Sequence, residues 1–260
     1  MKKISFIIGC GWLGQPLAKR LIQKDFHVYG STRFNEKIIS LNEQGIIGFK
    51  INFENESVLL DIPSEVIQHA HSLIFTIPPT GFVDYGNSLL TIVKLFSEET
   101  NVIFASSTGV YKEINGTVNE ESECNIDHPV FKAEKLLQAH LGNRLTILRL
   151  AGLIGENRHP VRYFLNKPNI PNGLAPVNLI PLEDVLNAFI QAVTYTLKER
   201  VYTICSPEHP TRMEYYSQIA AQKFGVELSF LPEGNGKIVD GAKFVKDSDF
   251  QYTTSIFDLD

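Results

Sequence analysis

Short apolar segments alternate with helical patterns through the first 150 residues of this 260-residue chain. The segments are typical of buried β-strands, and the patterns between them repeat apolar residues at helical spacing. The predicted strands are 4–8, 27–30, 45–50, 72–77, 101–105 and 145–150. Because such alternation requires a parallel sheet covered by helices on both faces, we predict a doubly wound α/β fold.

The pattern loosens after residue 155, where Pro, Asn and Arg become frequent. We therefore predict a sheet domain over 1–155, to which 177–197 returns, and a small carboxy-terminal substrate lobe over most of 156–260. Predicted helices at 85–99 and 131–141 are candidates for a homodimer interface.

Composition narrows the function classes. Apolar residues make up 43% of the chain and the net charge is −5, so no basic patch for nucleic acid or anionic lipid is expected. No apolar run approaches the roughly 18 residues of a membrane span. Three cysteines without short spacing predict reduced thiols in the cytoplasm and no metal site.

A glycine-rich motif follows the first predicted strand and opens the first helix. Gly9, Gly11 and Gly14 form G-x-G-x-x-G, in which the glycines permit a tight turn, close approach of a pyrophosphate and close packing of helix on strand. The amides of Trp12 and Leu13 are expected to face the anion from the helix amino terminus. This is the pattern of a Rossmann dinucleotide-binding domain.

The end of the second predicted strand favours NADP over NAD. The residue about 20 positions after the motif, where an acidic side chain would bind the ribose 2′-hydroxyl of NAD, is Gly30. Ser31, Thr32 and Arg33 follow, and they offer two hydroxyls and a guanidinium to a 2′-phosphate. NAD stays the alternative cofactor.

Further segments resemble the extended short-chain dehydrogenase/reductases, the NAD(P)-dependent epimerase/dehydratase group. Residues 102–111 (VIFASSTGVY) resemble the group's strand-to-loop signature, and 148–155 (LRLAGLIG) its segment beside the nicotinamide. Residues 177–184 (VNLIPLED) are similar to its I-H-V-x-D stretch, with Pro181 where His is usual. With Pro78-Pro79 after the fourth strand, the chain looks most like the atypical, YeeZ-type members of this group.

The resemblance implies roles for particular residues. Ser107 would bind a substrate carbonyl or hydroxyl oxygen, and Tyr111 would be the neighbouring loop tyrosine. The backbone at Ile77 and Pro78 would pass under the adenosine and ribose of the cofactor. Leu150 and Ala151 would lie near the nicotinamide.

The resemblance fails at the catalytic Tyr-x-x-x-Lys of that group. The register that keeps the lysine as Lys135 places Phe131 at the tyrosine, and a phenyl ring has no proton to exchange. A second alignment matches Ala133-Glu134 to a later A-E of the group and loses the lysine as well. Both alignments stay open.

Other residues are candidates for the acid that would replace the missing tyrosine, and two carboxylates are expected to have structural or surface roles. The candidate acids are Tyr111, His128, His159 and Tyr163. We expect Asp184 to serve the amino terminus of its helix and Glu134 to be a surface charge.

The sequence thus predicts an NAD(P)-binding oxidoreductase or epimerase that acts on a small carbonyl or a sugar nucleotide. The alternative is a catalytically inactive NADP(H)-binding regulator, which the loss of the tyrosine favours.

Overall fold

The computed structural model describes residues 2–51, 53, 62–155 and 157–258. Its strands are β1 Ile4–Ile8, β2 His27–Thr32, β3 Ile47–Lys50, β4 Ala70–Phe75, β5 Asn101–Ser107, β6 Gly116–Val118, β7 Leu145–Leu150, β8 Gly152–Ile154, β9 Leu179–Pro181, β10 Val201–Ile204 and β11 Lys237–Val239. Its α-helices are α1 Gly14–Gln23, α2 Asn35–Glu43, α3 Ser64–His69, α4 Tyr85–Val93, α5 Pro129–Leu141, α6 Leu182–Thr194, α7 Arg212–Phe224 and α8 Ala242–Asp247.

A seven-stranded sheet flanked by helices confirms the predicted doubly wound fold. Its strand order is β10-β7-β5-β4-β1-β2-β3, and each pair from β5 to β3 is parallel. The chain order reverses between β1 and β4, and in open α/β sheets ligands bind beside the carboxyl ends of strands at such a switch point. The glycine motif follows β1 at this point.

Burial explains why the central strands read as continuous apolar runs. Phe6, Ile7 and Ile8 of β1 are fully buried, as expected of a strand with both faces covered. On α1, Leu17, Ala18 and Leu21 are buried, which gives the helix one apolar face.

The chain contains two compact units. Unit 1 comprises 1–107, 125–148 and 186–201, and it holds β1 to β5 with α1 to α5. Unit 2 comprises 108–124, 149–185 and 202–260. The segment 108–124 therefore belongs to unit 2 although it precedes residue 155.

Unit 2 has its own short sheets and aromatic core. Strand β6 pairs in parallel with β11, and β8 pairs in parallel with β9. Strand β9, within the segment predicted to return to the main sheet, thus lies in a separate two-stranded sheet. Tyr215, Tyr216 and Phe230 are among the buried residues of the unit's core.

Several element boundaries differ from the predicted ones, among them those of β2 and α4. Strand β2 continues to Thr32, two residues beyond the predicted end, and α4 ends at Val93 although apolar residues continue to Phe96. The backbone after α4 turns, since the Leu95 amide donates to Ile92 O and the Phe96 amide to Val93 O. In the part of the chain that the structure describes, no helix is both long and apolar enough to cross a bilayer.

Candidate functional site

The glycine motif forms a turn whose geometry excludes larger residues at two positions. Gly9 has φ +103°, a conformation that L side chains rarely adopt. A Cβ on Gly14 would lie 2.2 Å from the carbonyl oxygen of Gly9, so the first turn of α1 packs directly on the end of β1. Around Gly11, by contrast, no atom of the described residues other than 10–12 lies within 4 Å of the place a Cβ would take.

Two hydroxyl groups hold Gly9 from neighbouring strands. The Gly9 amide donates to Ser31 Oγ at 2.9 Å, and Thr76 Oγ1 donates to the Gly9 carbonyl at 2.7 Å. The Cys10 amide donates to the carbonyl of Ser31 at 2.7 Å. Residues after β1, at the end of β2 and after β4 therefore form one hydrogen-bonded unit.

This loop fits the pyrophosphate of a dinucleotide. The space beside Gly11 lets a ligand approach the backbone, and no acidic residue occupies the first turn of α1. Leu13 occupies the N-cap position and its side chain makes no capping hydrogen bond. The dipole and the first-turn amides of α1 therefore favour an anion at this end.

The structure changes the interpretation of Gly30. Because β2 extends to Thr32, Gly30 lies inside the strand and not at its end. A Cβ there would lie 2.3 Å from Cys10 Sγ, so the buried thiol fills the space of a side chain. Burial also raises the pKa of Cys10 to about 12, which makes it an unreactive packing residue.

The residues that follow β2 place two cations against one aromatic ring. Arg33 Cζ lies 5.6 Å and Lys37 Nζ 5.9 Å from the ring centroid of the exposed Phe34. Thr32 is buried, and its Oγ1 accepts from the Phe34 amide at 3.3 Å. Of the three residues predicted to bind a 2′-phosphate, Arg33 is exposed at the end of β2 and Ser31 instead supports the glycine loop.

Ile77 and Pro78 follow β4 beside the glycine motif. Ile77 Cγ2 lies 2.3 Å from the position of a Gly9 Cβ, so its side chain packs directly on the loop. Tyr85, the first residue of α4, donates its hydroxyl hydrogen bond to the carbonyl of Ile77 at 2.7 Å. Pro78 is exposed.

Ser107 ends β5 and is half-buried. The preceding residue, Ser106, is buried and donates a short hydrogen bond from Oγ to the carboxylate of Glu134 on α5. Glu134 has no exposed surface, so the expectation that it is a surface charge is wrong. The bond ties the end of β5 to α5 next to Ser107.

Phe131, which one of the two alignments matches to the tyrosine of Tyr-x-x-x-Lys, lies near the start of α5. Lys135 is exposed, and its Nζ lies 5.2 Å from the ring centroid of Phe131, one turn earlier. His128 caps this helix, since its Nδ1 accepts from the Val130 amide at 3.3 Å. A neutral His128 in this arrangement carries its proton on Nε2.

In unit 2, Tyr111 is an interior side chain. It is 1% exposed, its phenol lies 2.6 Å from Thr203 Oγ1, and Arg149 Cζ lies 5.0 Å from its ring centroid. Burial raises the pKa of the phenol, although the hydrogen bonds to Thr203 and Arg149 oppose this. Leu150 and Ala151 are buried too, and the Ala151 amide donates to Ile204 O at 3.0 Å.

Two more candidates have structural partners in unit 2. His159 Nε2 lies 2.9 Å from the Tyr215 hydroxyl, and its Nδ1 accepts from the Val161 amide at 3.1 Å. Asp184 lies in the first turn of its helix, as expected; it is fully buried, and its carboxylate also accepts from the amide and hydroxyl of Thr253 and from the Thr254 amide. Tyr163 is 76% exposed.

Sequence reasoning missed Thr76 and Tyr85. Thr76 stands between a buried strand and Pro78-Pro79, so a hydroxyl at the carboxyl end of β4 was a usable signal. Nothing in the sequence identifies the carbonyl that Tyr85 contacts. Among the described residues, no group of His, Cys, Asp and Glu could hold a metal ion.

Comparison with known proteins finds a relative that matches over nearly its full length. Protein YeeZ of Escherichia coli K12 is 34% identical over 269 aligned residues, which cover 97% of this chain and 96% of the relative. No family model matches the chain.

Solved structures share the fold at low identity. UDP-glucuronic acid 4-epimerase from Bacillus cereus, solved in complex with NAD, gives a TM-score of 0.77 at 18% identity over 98% of this chain and 95% of its own. Vestitone reductase from alfalfa gives 0.78 at 17% identity over 99% and 96%. Since the identity to YeeZ extends over nearly the full length of both chains, the protein belongs to the YeeZ family.

Proposed function

We propose that the protein binds a nicotinamide dinucleotide in unit 1 and is an oxidoreductase or epimerase of a small carbonyl compound or sugar nucleotide. The observation that carries this proposal is the glycine loop at the switch point between β1 and β4. Gly9 and Gly14 leave no room for side chains, while Gly11 leaves the backbone open to a ligand. The fold shared with an NAD-bound epimerase supports it.

The preferred cofactor in this proposal is NADP(H), with NAD(H) the weaker ligand. Arg33 and Lys37 bring two positive charges to the end of β2, where an adenosine ribose lies in this fold. A 2′-phosphate there gains charge-assisted hydrogen bonds that a 2′-hydroxyl does not. No acidic residue in 28–34 would repel the phosphate.

When bound, the reduced nicotinamide supplies a hydride for a substrate carbonyl. Ser107 would donate a hydrogen bond to the carbonyl oxygen, and the bond between Ser106 and Glu134 would keep that end of β5 in place. The resulting alkoxide would take its proton from water, because Phe131 has none to give. Tyr111 and Lys135 as catalytic groups, Leu150 and Ala151 as nicotinamide contacts and a homodimer through α4 and α5 stay predictions from the resemblance.

A non-catalytic, NADP(H)-binding regulator is the second candidate function. In the alignment that keeps Lys135, Phe131 takes the proton donor's position, and the exposed Lys135 lies against its ring. A retained cofactor site beside a lost acid is the combination that such a regulator would have.

The decrease in NADPH absorbance when candidate substrates are added tests the two functions. We expect oxidation of NADPH with at least one member of a panel of small aldehydes, ketones and 4-keto sugar nucleotides, and its loss in Ser107→Ala. Lys94→Ala, a change on the exposed end of α4, is the matched control. Tight NADPH binding without turnover of any panel member, and without epimerisation of any sugar nucleotide, would favour the regulator, and no cofactor binding would contradict both.

A further inference from the structure

One side chain forms a hydrogen bond across the segment that joins β4 to α4. Tyr85 reaches back over the intervening loop, and its hydroxyl donates to the carbonyl oxygen of Ile77 at 2.7 Å. The loop between them includes Gly81, with φ +89°, and the fully exposed Val83. The Tyr85 bond therefore fixes the start of this loop.

The carbonyl that Tyr85 holds belongs to a residue in contact with the glycine loop. A Cβ on Gly9 would lie 2.3 Å from Ile77 Cγ2 and 3.4 Å from the Ile77 amide nitrogen. The preceding residue, Thr76, donates to the Gly9 carbonyl at 2.7 Å. A shift of the backbone at Ile77 would therefore move the atoms that press on Gly9.

The phenol itself is anchored by the core of unit 1. Tyr85 is 5% exposed, and its ring lies between Phe82, at 5.2 Å, and Phe104 of β5, at 6.1 Å between centroids. Asp84 caps α4 by accepting from the Asn87 amide at 3.0 Å, which fixes the start of the helix. Burial raises the pKa of Tyr85, so the hydroxyl stays protonated and keeps its role as donor.

We propose that Tyr85 is a positioning residue for the dinucleotide site, and that it acts by holding Ile77 against Gly9. This inference rests on the proposed function, because it needs a cofactor to report on the loop. Because Tyr85 acts on the glycine loop through Ile77, its loss should weaken the binding of NADPH and NADH equally. It would not change the preference between them, which depends on residues at the end of β2.

Calorimetric titration of Tyr85→Phe with NADPH and with NADH tests the proposal. The variant keeps the ring and removes one neutral hydrogen bond, so we expect affinity for both cofactors to fall about two- to tenfold with an unchanged ratio. Tyr215→Phe is the matched control, because its hydroxyl also donates to a backbone carbonyl, that of Ile256 at 3.0 Å, within unit 2. It should lower the melting temperature without weakening either cofactor.

A double-mutant cycle with Ile77→Ala tests the route of the effect. If Tyr85 acts through Ile77, Tyr85→Phe should weaken binding less in the Ile77→Ala background than in the natural chain. Ile77→Ala alone should weaken both cofactors, and it replaces Tyr85→Phe as the test should that variant fail to fold.

The outcomes separate this inference from the proposed function. Natural protein that binds NADPH while Tyr85→Phe binds it equally well would overturn the inference and leave the proposed function standing. Equal weakening by Tyr85→Phe and Tyr215→Phe would also overturn it, since the effect would then be general destabilisation. Natural protein that binds neither cofactor would contradict the proposed function and the inference together.

Discussion

The amide nitrogen of Gly9 donates a hydrogen bond to the hydroxyl of Ser31 at 2.9 Å, so a residue of β2 shapes the loop that follows β1. Ser31 is 2% exposed, and its carbonyl accepts from the Cys10 amide. A hydroxyl that the sequence assigns to the cofactor phosphate is thus engaged by the protein backbone. Its effect on a cofactor should be indirect.

Ser31→Ala should therefore weaken NADPH and NADH alike. The variant leaves the half-buried Gly9 amide without its acceptor, and a lost hydrogen bond of this kind corresponds to about two- to tenfold in affinity. Fluorescence titration with both cofactors measures the effect. A loss confined to NADPH would show that Ser31 contacts the 2′-phosphate directly.

Arg33→Ala, unlike Ser31→Ala, should change the preference between the two cofactors. Removal of a charge-assisted bond to the 2′-phosphate should weaken NADPH about tenfold or more and leave NADH nearly unchanged. Lys37→Ala should act in the same direction, and Lys94→Ala should change neither cofactor. Equal affinities of the natural protein for NADPH and NADH would contradict the assigned preference.

Acid should destabilise the protein through His159. Its Nδ1 accepts from the Val161 amide, and burial, with the charges of Lys223 and Arg162, lowers the pKa of His159 from 6.5 to about 4. Between these values the unfolded chain binds a proton that the folded chain does not, so the free energy of unfolding should fall as pH falls from 6.5 to 4.

Urea unfolding at a series of pH values measures this contribution. His159→Gln has no titrating group and should show a flatter dependence in that window than the natural protein, whose other histidines are common to both. Identical pH dependence in the two proteins would show that His159 is not held in its neutral form.

Asp184→Asn should destabilise unit 2. The Asp184 carboxylate is fully buried and accepts three hydrogen bonds from Thr253 and Thr254, and an amide nitrogen in place of one oxygen would face a donor. We expect a loss of about 2–4 kcal/mol in the free energy of unfolding. Asp258→Asn, at an exposed position, is the control and should cost less than about 0.5 kcal/mol. Equal losses in the two variants would contradict the role of Asp184.

The sequence predicted well what depends on local pattern. Strands β1 and β7 begin and end where their apolar runs do, because each run is bounded by turn or polar residues and buried on both sides. The glycine motif specified its own turn, since Gly9 and Gly14 meet constraints within a few residues. The sequence predicts a longer helix α4 than the structure has, because Leu95 and Phe96 continue the apolar spacing through a turn.

Contacts between distant segments could not be predicted in the same way. Glu134 is polar and lies on a helix, so its pattern indicates a surface, and only the fold brings Ser106 to its carboxylate. The sequence pattern places Gly30 at the end of β2. In the structure, the side chain of Cys10 occupies the space that a side chain at position 30 would need. In both cases the deciding partner is more than 15 residues away in the chain.

A calorimetric titration of Gly11→Val with NADPH, beside the natural protein, tests whether the glycine loop binds the cofactor. No described atom outside 10–12 lies within 4 Å of a Cβ at Gly11, so the variant should keep its melting temperature while its side chain occupies the space for the pyrophosphate. We predict that the natural protein binds NADPH and that Gly11→Val loses this binding. Natural protein that binds neither NADPH nor NADH, or a folded Gly11→Val that binds NADPH as tightly as the natural protein, would show that the glycine loop is not a dinucleotide site.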